Sequence, residues 1–218
     1  MSHIFQTIHR PDSKRLRAFT LFELMMVMAV VAAIAVLAVP AFSSMQRSSS
    51  LTRCEEEVLG EFNLARQQAI SLNREVEVRF YLYRDKSLPG NSRQFNGIQS
   101  FTYSQDGKAA PIRIMRNLPV SAIIDGSATL SSLLGPAQKK NWITGDPQPQ
   151  LPGIGTEYDA YVFRFRPDGG TDLLPFPATP WFLTLHDRAA GDNLSAPPAN
   201  YISIVVDPIS GQAGSYRP

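Results

Sequence analysis

The chain has 218 residues, 44% of them hydrophobic and 18% charged, with a formal net charge of +2. That is one domain, or one domain with an appended segment, and it holds enough apolar material for a core, which excludes wholesale disorder. A single cysteine, Cys54, excludes an intrachain disulfide framework and a multi-cysteine zinc site, three histidines leave little for metal or triad chemistry, and so small a net charge is no bulk signature of a nucleic-acid binder.

The charge is unevenly spread. Residues 1–18 carry Arg10, Lys14, Arg15 and Arg17 against one acid, Asp12. From Phe19 to Phe42 the only charge is Glu23. A helix of that length spans roughly 36 Å, enough for a hydrocarbon core of about 30 Å. The basic start predicts a cytoplasmic N-terminus and export of the remainder. On the residues alone several readings stay open. A secretory signal peptide has a shorter apolar run and a small-x-small cleavage site. A plain single-pass anchor fits the length but leaves Glu23 unexplained, since an acid inside a spanning helix is costly. Pro40 should kink or loosen the helix where it removes a hydrogen bond.

Beyond Phe42 the helical period continues. Leu51, Cys54, Val58, Phe62, Ala65, Ala69 and Leu72 form one apolar stripe, so a single helix from 19 to about 72 is predicted, its second half amphipathic and packed on a globular domain. Cys54 lies on that stripe as a buried apolar residue. From Glu75 the period changes to two, and Val76, Val78, Phe80 and Leu82 read as one face of a half-buried strand. Pro89-Gly90-Asn91 marks a turn. Further strands are predicted at Ile98–Tyr103, Pro111–Met115, Tyr158–Arg166 and Trp181–Leu185, with a C-terminal hairpin of Tyr201–Val206 and Gly214–Tyr216. Residues 117–156 read as irregular apart from a helical turn near Leu130–Leu134. A long helix followed by six or seven strands is an α+β order with a mainly antiparallel sheet. The predicted organisation is 1–18 leader, 19–42 apolar helix, 43–74 amphipathic continuation and 75–218 β-rich domain.

The string Ala18, then Phe19-Thr20-Leu21-Phe22-Glu23 and an apolar helix, after a short basic leader, resembles the class III signal of type IV pilins and pseudopilins. The resemblance implies a pilin-like fold, with a partly transmembrane helix on an antiparallel sheet. It also implies cleavage between Ala18 and Phe19 by a prepilin peptidase, N-methylation of Phe19, and assembly through Glu23 and Pro40. The usual residue before the cut is glycine, and here it is Ala18. The run Ala65-Arg66-Gln67-Gln68-Ala69-Ile70, with Asn73-Arg74-Glu75-Val76 leading into a strand, resembles the GspH/FimT-like minor pilins. So does Phe165-x-Pro167-Asp168-Gly169. Val76–Tyr81, Phe163–Gly169, Trp181–Leu185 and the ending Tyr216-Arg217-Pro218 resemble the prepilin-like Verru_Chthon cassette protein D set. The implied protein is a structural subunit of a type IV pilus or type II secretion pseudopilus. It would sit in the bacterial inner membrane with its C-terminal domain periplasmic or in a filament, and its partners would be other pilin-like subunits.

Chemistry-bearing motifs are sparse. Gly153-Ile154-Gly155 begins like a dinucleotide fingerprint, but Tyr158 stands where the third glycine belongs. His186 reads as a lone structural or surface histidine on a strand edge. Asp168 and Asp172 flank a glycine turn, which reads as Asp-capped rather than as a cation loop. No enzymatic activity, cofactor or metal is expected. The alternative to a structural subunit is an exported, membrane-anchored binding module for DNA or a surface ligand. Its candidate DNA contacts are Lys139, Lys140 and Arg217, with Arg113 and Arg116 as further exported cations. Their number is modest for phosphate-driven affinity.

Overall fold

The computed structural model describes residues 19–87, 92–143 and 146–218, without side-chain detail for 37–44. Two compact units emerge, up to Ser43 and from Ser44 to Pro218. Helix α1 (Leu21–Leu72) supplies the described structure of the first unit and the opening element of the second. Its start is capped by Thr20, whose Oγ1 accepts the Glu23 backbone N–H at 3.2 Å. Its end is a Schellman turn: Arg74 N–H donates to Ala69 O and Asn73 N–H to Ile70 O, with Asn73 at φ 50. The described side chains from Leu21 to Val36 are exposed on every side of the helix. Among the described residues no helix is long and apolar enough to cross a membrane. The predicted turn at Pro89-Gly90-Asn91 lies outside the described residues.

In the second unit the strands are β1 (Val76–Tyr83), β2 (Gln94–Tyr103), β3 (Ala109–Pro111), β4 (Arg116–Asn117), β5 (Ala122–Ile124), β6 (Tyr158–Phe165), β7 (Trp181–Asp187), β8 (Tyr201–Val206) and β9 (Ala213–Tyr216). They form one antiparallel sheet in the order β6-β1-β2-β5-β7-β8-β9, with β3 and β4 also pairing with β2. The α+β reading therefore holds, as does the C-terminal hairpin. Several details differ from expectation. The segment expected as one strand at Pro111–Met115 falls mostly between β3 and β4. β5 arises inside the stretch read as irregular. The expected helical turn is a 3-10 turn at Ser132–Leu134.

The helix stripe is the core. Leu51, Cys54, Val58, Phe62, Ala65 and Ala69 are buried against Val76, Val78, Phe80, Phe163, Phe165 and the inner faces of β7 and β8. Phe62 is the centre, edge-on to Phe80 at 6.0 Å and to Phe163 at 5.4 Å. Leu72, the last residue of the helix, falls off the stripe and is 46% exposed. The first strand is not half-buried as its alternation predicts. Glu77, Arg79, Tyr81 and Tyr83, on the face away from α1, are buried as well. Trp142, Leu151, Ile154, Ala109 and Met115 fold over that face and pack on Tyr81, Tyr83, Phe101 and Tyr158. A sheet roofed on both sides has no solvent face at its centre, so the polar alternation had to be accommodated internally.

The two edges of the sheet meet at one corner. The turn after β6 and the turn between β8 and β9 are joined by Thr171, whose N–H and Oγ1 both donate to Pro208 O, at 2.9 and 3.0 Å. Arg66 of α1 clasps both turns, its Nε donating to Gly169 O at 3.1 Å and to Ser210 O at 3.0 Å. Gly211, at φ +65, is required there: a Cβ would lie 2.1 Å from Gly169 O.

Candidate functional site

The densest polar cluster lies on the covered outer face of β1. Glu77 and Arg79 stand two residues apart on one strand and so share a face. The partner strands bring Phe101 and Arg164 opposite Glu77, and Gln99 opposite Arg79. Arg79 Nε donates to Glu77 Oε1 at 2.6 Å with both side chains fully buried. Lys140 reaches in from the covering segment to Glu77 Oε1 at 3.0 Å and Asp146 Oδ2 at 2.8 Å. Arg164 Nη2 meets Glu77 Oε2 at 3.1 Å, and Tyr103 O–H donates to the same oxygen at 2.9 Å. Burial alone would push the Glu77 carboxyl up. Arg79 and Lys140 outweigh that and hold it below the usual carboxylate range. For Lys140 burial acts downward, but the bonds it donates to Asp146 and Glu77 raise it above an ordinary lysine.

The guanidinium of Arg79 lies flat on the Phe101 ring, 3.7 Å from its centroid, with Trp142 at 5.2 Å. Its Nε serves Glu77 and its Nη2 donates to Tyr103 at 3.3 Å. Its Nη1 is buried and without a partner. Arg79 also lines a cleft of about 920 Å³, whose wall includes Phe101, Lys108, Ile114, Met115 and Pro149.

The residues singled out from the sequence do not converge. Ala18 lies outside the described residues. Phe19 is 76% exposed. Glu23 is also exposed and is the fourth residue of a Thr-x-x-Glu capping sequence, three beyond Thr20, a local role that the pilin-like reading of the string passed over. Pro40 is within α1, but its side chain lies outside the described set. Lys139 pairs with Asp159 at 3.1 Å, while its neighbour Lys140 is buried in the Glu77 cluster, 7% exposed. Arg217 donates to Ser48 Oγ and Asn200 Oδ1, each at 3.1 Å. Arg113 is bound to the buried Glu61 of α1, and Arg116 approaches Glu57 at 3.9 Å.

His186 is not on an edge. It lies in β7, between β5 and β8, fully buried. Its Nε2 faces Asp125 Oδ2 and its Nδ1 faces Asp187 O, each at 3.0 Å, so both ring nitrogens have protein partners. Burial pushes Asp125 up, but backbone N–H groups of Ser127 and Leu194 outweigh it and hold the acid low. In the glycine turn Asp168 Oδ1 accepts from Gly170 N–H at 2.9 Å and Asp172 Oδ1 from Arg164 N–H at 2.8 Å, the capping arrangement expected. Among the described residues no three of His, Cys, Asp or Glu are grouped as metal ligands would be.

Cys54 is buried in the core, where burial pushes its thiol up to about 12. The folded protein at pH 8 is expected to react with an aromatic disulfide reagent on the order of a hundredfold or more slower than the denatured chain. Equal rates, followed by thiolate absorbance, would show the stripe to be open.

No family model, no curated protein and no solved structure matches this chain.

Proposed function

We propose that the chain is a non-enzymatic, membrane-anchored structural subunit of the type IV pilin or pseudopilin kind. It is made with a basic leader, cut between Ala18 and Phe19 by a prepilin peptidase, methylated on Phe19, and assembled with other pilin-like subunits from the inner membrane. The observation that carries this reading is the character of α1. Apart from Glu23 its first part is apolar on every described side and exposed, with Phe22 at 77% and Met25 at 64%, whereas its later part buries a single stripe against a sheet. An isolated helix apolar all round has no stable place in water and calls for lipid or other helices around it. The crossing belongs to residues 19–42, of which 37–42 lie outside the described side chains.

Glu23 then sits at the start of the apolar helix, where a newly made ammonium on Phe19 of another subunit would neutralise it. Removing the leader takes four basic and one acidic side chain from totals of 21 and 19, so the mature chain carries 17 and 18 and is close to neutral. That supports a packing role over an electrostatic one. No observation favours the DNA-binding alternative: Lys139, Lys140 and Arg217 all have protein partners, and Lys140 is buried.

The test is mass spectrometry of the N-terminus after expression in cells with and without a prepilin peptidase. The expected result is N-methylated Phe19 in the first and an intact leader in the second. An uncut chain, or a cut elsewhere, in the presence of the peptidase overturns the processing.

A further inference from the structure

We propose that the exposed hook Leu174-Pro175-Phe176-Pro177 of one copy of the chain fills the cleft beside β2 of a second copy. The inference stands on the β-rich unit alone, so it holds or fails separately from the processing at Phe19. Three observations converge on it.

First, the hook is an apolar tip that its own fold leaves uncovered. Leu174 is 67% exposed and Phe176 87%. A single exposed apolar side chain needs no explanation, but large ones grouped on one tip mark an interaction site. The base of the hook is pinned. Leu173 is buried in the core, Trp181 Nε1 donates to Leu174 O at 3.0 Å, and Ser132 Oγ donates to Pro180 O at 2.7 Å. A residue before proline is biased to extended backbone, and both Leu174 and Phe176 precede one. A tip already fixed loses little freedom on binding, which suits Phe176 to be an aromatic anchor.

Second, the cleft is apolar and set in advance. Its volume of about 920 Å³ is in the range that receives rings and short chains, and Phe101, Pro111, Ile114, Met115, Leu151 and Pro152 supply its hydrocarbon. The wall at 148–149 is tied down, with Tyr158 O–H donating to Pro149 O at 2.7 Å and Gln148 Nε2 to Tyr158 O at 2.8 Å. Third, the charges match. Leu173 to Leu185 carries no charge. On the cleft wall Arg113 is held by Glu61 and Asp146 by Lys140. Lys108 is exposed, and its stem keeps the ammonium in water. A neutral apolar insert therefore strands no charge, and every copy of the chain carries one. Hook and cleft share no residue, so each copy gives one and receives one, the heterologous contact that links copies in rows. One tip in one cleft belongs with the small, weak interfaces.

The test uses the full chain kept soluble by an amphipathic polymer, with free polymer removed so that no detergent competes for the cleft. Sedimentation is expected to show association that rises with concentration. Phe176→Asp removes the anchor and keeps the cleft; Ile114→Asp spoils the cleft and keeps the hook. Both residues are exposed, so circular dichroism should find both variants folded. Each variant alone is expected to associate about thirtyfold more weakly, the effect of losing a hot-spot residue. Mixed in equal amounts, they regain one hook-and-cleft contact and give pairs that grow no further. Thiol trapping then locates the contact. Cys54 is buried, so thiols introduced by Phe176→Cys and Ile114→Cys in separate chains are the reactive ones. Under mild oxidation that mixture should give several times more cross-linked pairs than Phe176→Cys with Val120→Cys, an exposed position off the cleft wall. A parent chain that stays single, association that neither Asp variant weakens, a mixture no better than its components, or equal trapping in the two thiol mixtures each overturns the proposal.

Discussion

Glu77→Gln is expected to destabilise the β-rich unit by about 3–5 kcal/mol, the cost of leaving buried charge uncompensated. Arg79 is fully buried and Lys140 nearly so, and both direct their cations at the Glu77 carboxylate. Arg164, 39% exposed, can turn to water and adds little to the penalty. Replacing the whole buried cluster should behave oppositely. Glu77→Leu combined with Arg79→Met and Lys140→Met removes the charges together, and is expected to recover most of the lost stability. Chemical denaturation at pH 7 reads both. A single Gln variant within about 0.5 kcal/mol of the parent would mean that water already reaches the cluster. The sign of the pH dependence follows from the depressed Glu77 carboxyl. A carboxyl whose folded pKa lies below its unfolded value contributes stability that is fully present above the unfolded pKa, about 4.3. That stability is lost as pH falls through the folded value. Below about pH 4 the parent should therefore lose stability faster than Glu77→Gln, and the two denaturation curves should converge.

Phe62→Ala is the second large effect, about 3–5 kcal/mol. Phe62 is 1% exposed and touches aromatic rings from both β1 and β6, so truncation opens a cavity between helix and sheet that neither can close alone. Its neighbour Glu61 is buried too, held by Arg113, which limits any rotation of the helix that could fill the void. Phe62→Leu should cost markedly less. A Phe62→Ala loss under about 1 kcal/mol, measured by the same denaturation, would show that α1 is not the centre of the core.

Much of the architecture could be read from periodicity. The stripe from Leu51 to Ala69 is a 3.6-residue signal and the alternation from Val76 a two-residue one, and both elements stand where those signals put them. What alternation cannot say is whether the second face of a strand is roofed. Glu77 and Arg79 look solvent-facing until Lys140 and Trp142, more than sixty positions away, fold over them. The pairing of opposite charges at i and i+2, with another cation at Arg164 in a strand of aromatics, was the available hint. β5 was missed because three residues hemmed by Pro119 and Gly126 carry no period. His186 was misplaced for a related reason: an interior strand differs from an edge only through neighbours that local sequence does not name. Lys139 and Lys140 look alike as adjacent cations, yet one lies on the surface and the other in the charge cluster. The processing proposed at Ala18 and Phe19 rests only on resemblance to a family signal.

The clasp made by Arg66 sets an order in time. Its bond to Ser210 O joins residues 144 positions apart, and β8, which contributes Ile202, Ile204 and Val206 to the cover of the helix stripe, is synthesised long after α1. A contact map so dominated by distant pairs folds slowly, because the loop must close before the contact rewards it. Until β8 is in place, the stripe is covered by β1 and β6 around Phe62 but lacks Ile202, Ile204 and Val206. Chains truncated before β8 are thus expected to need a holding partner, and a nascent chain can finish this fold only once β8 and the turn at Ser210 have been synthesised.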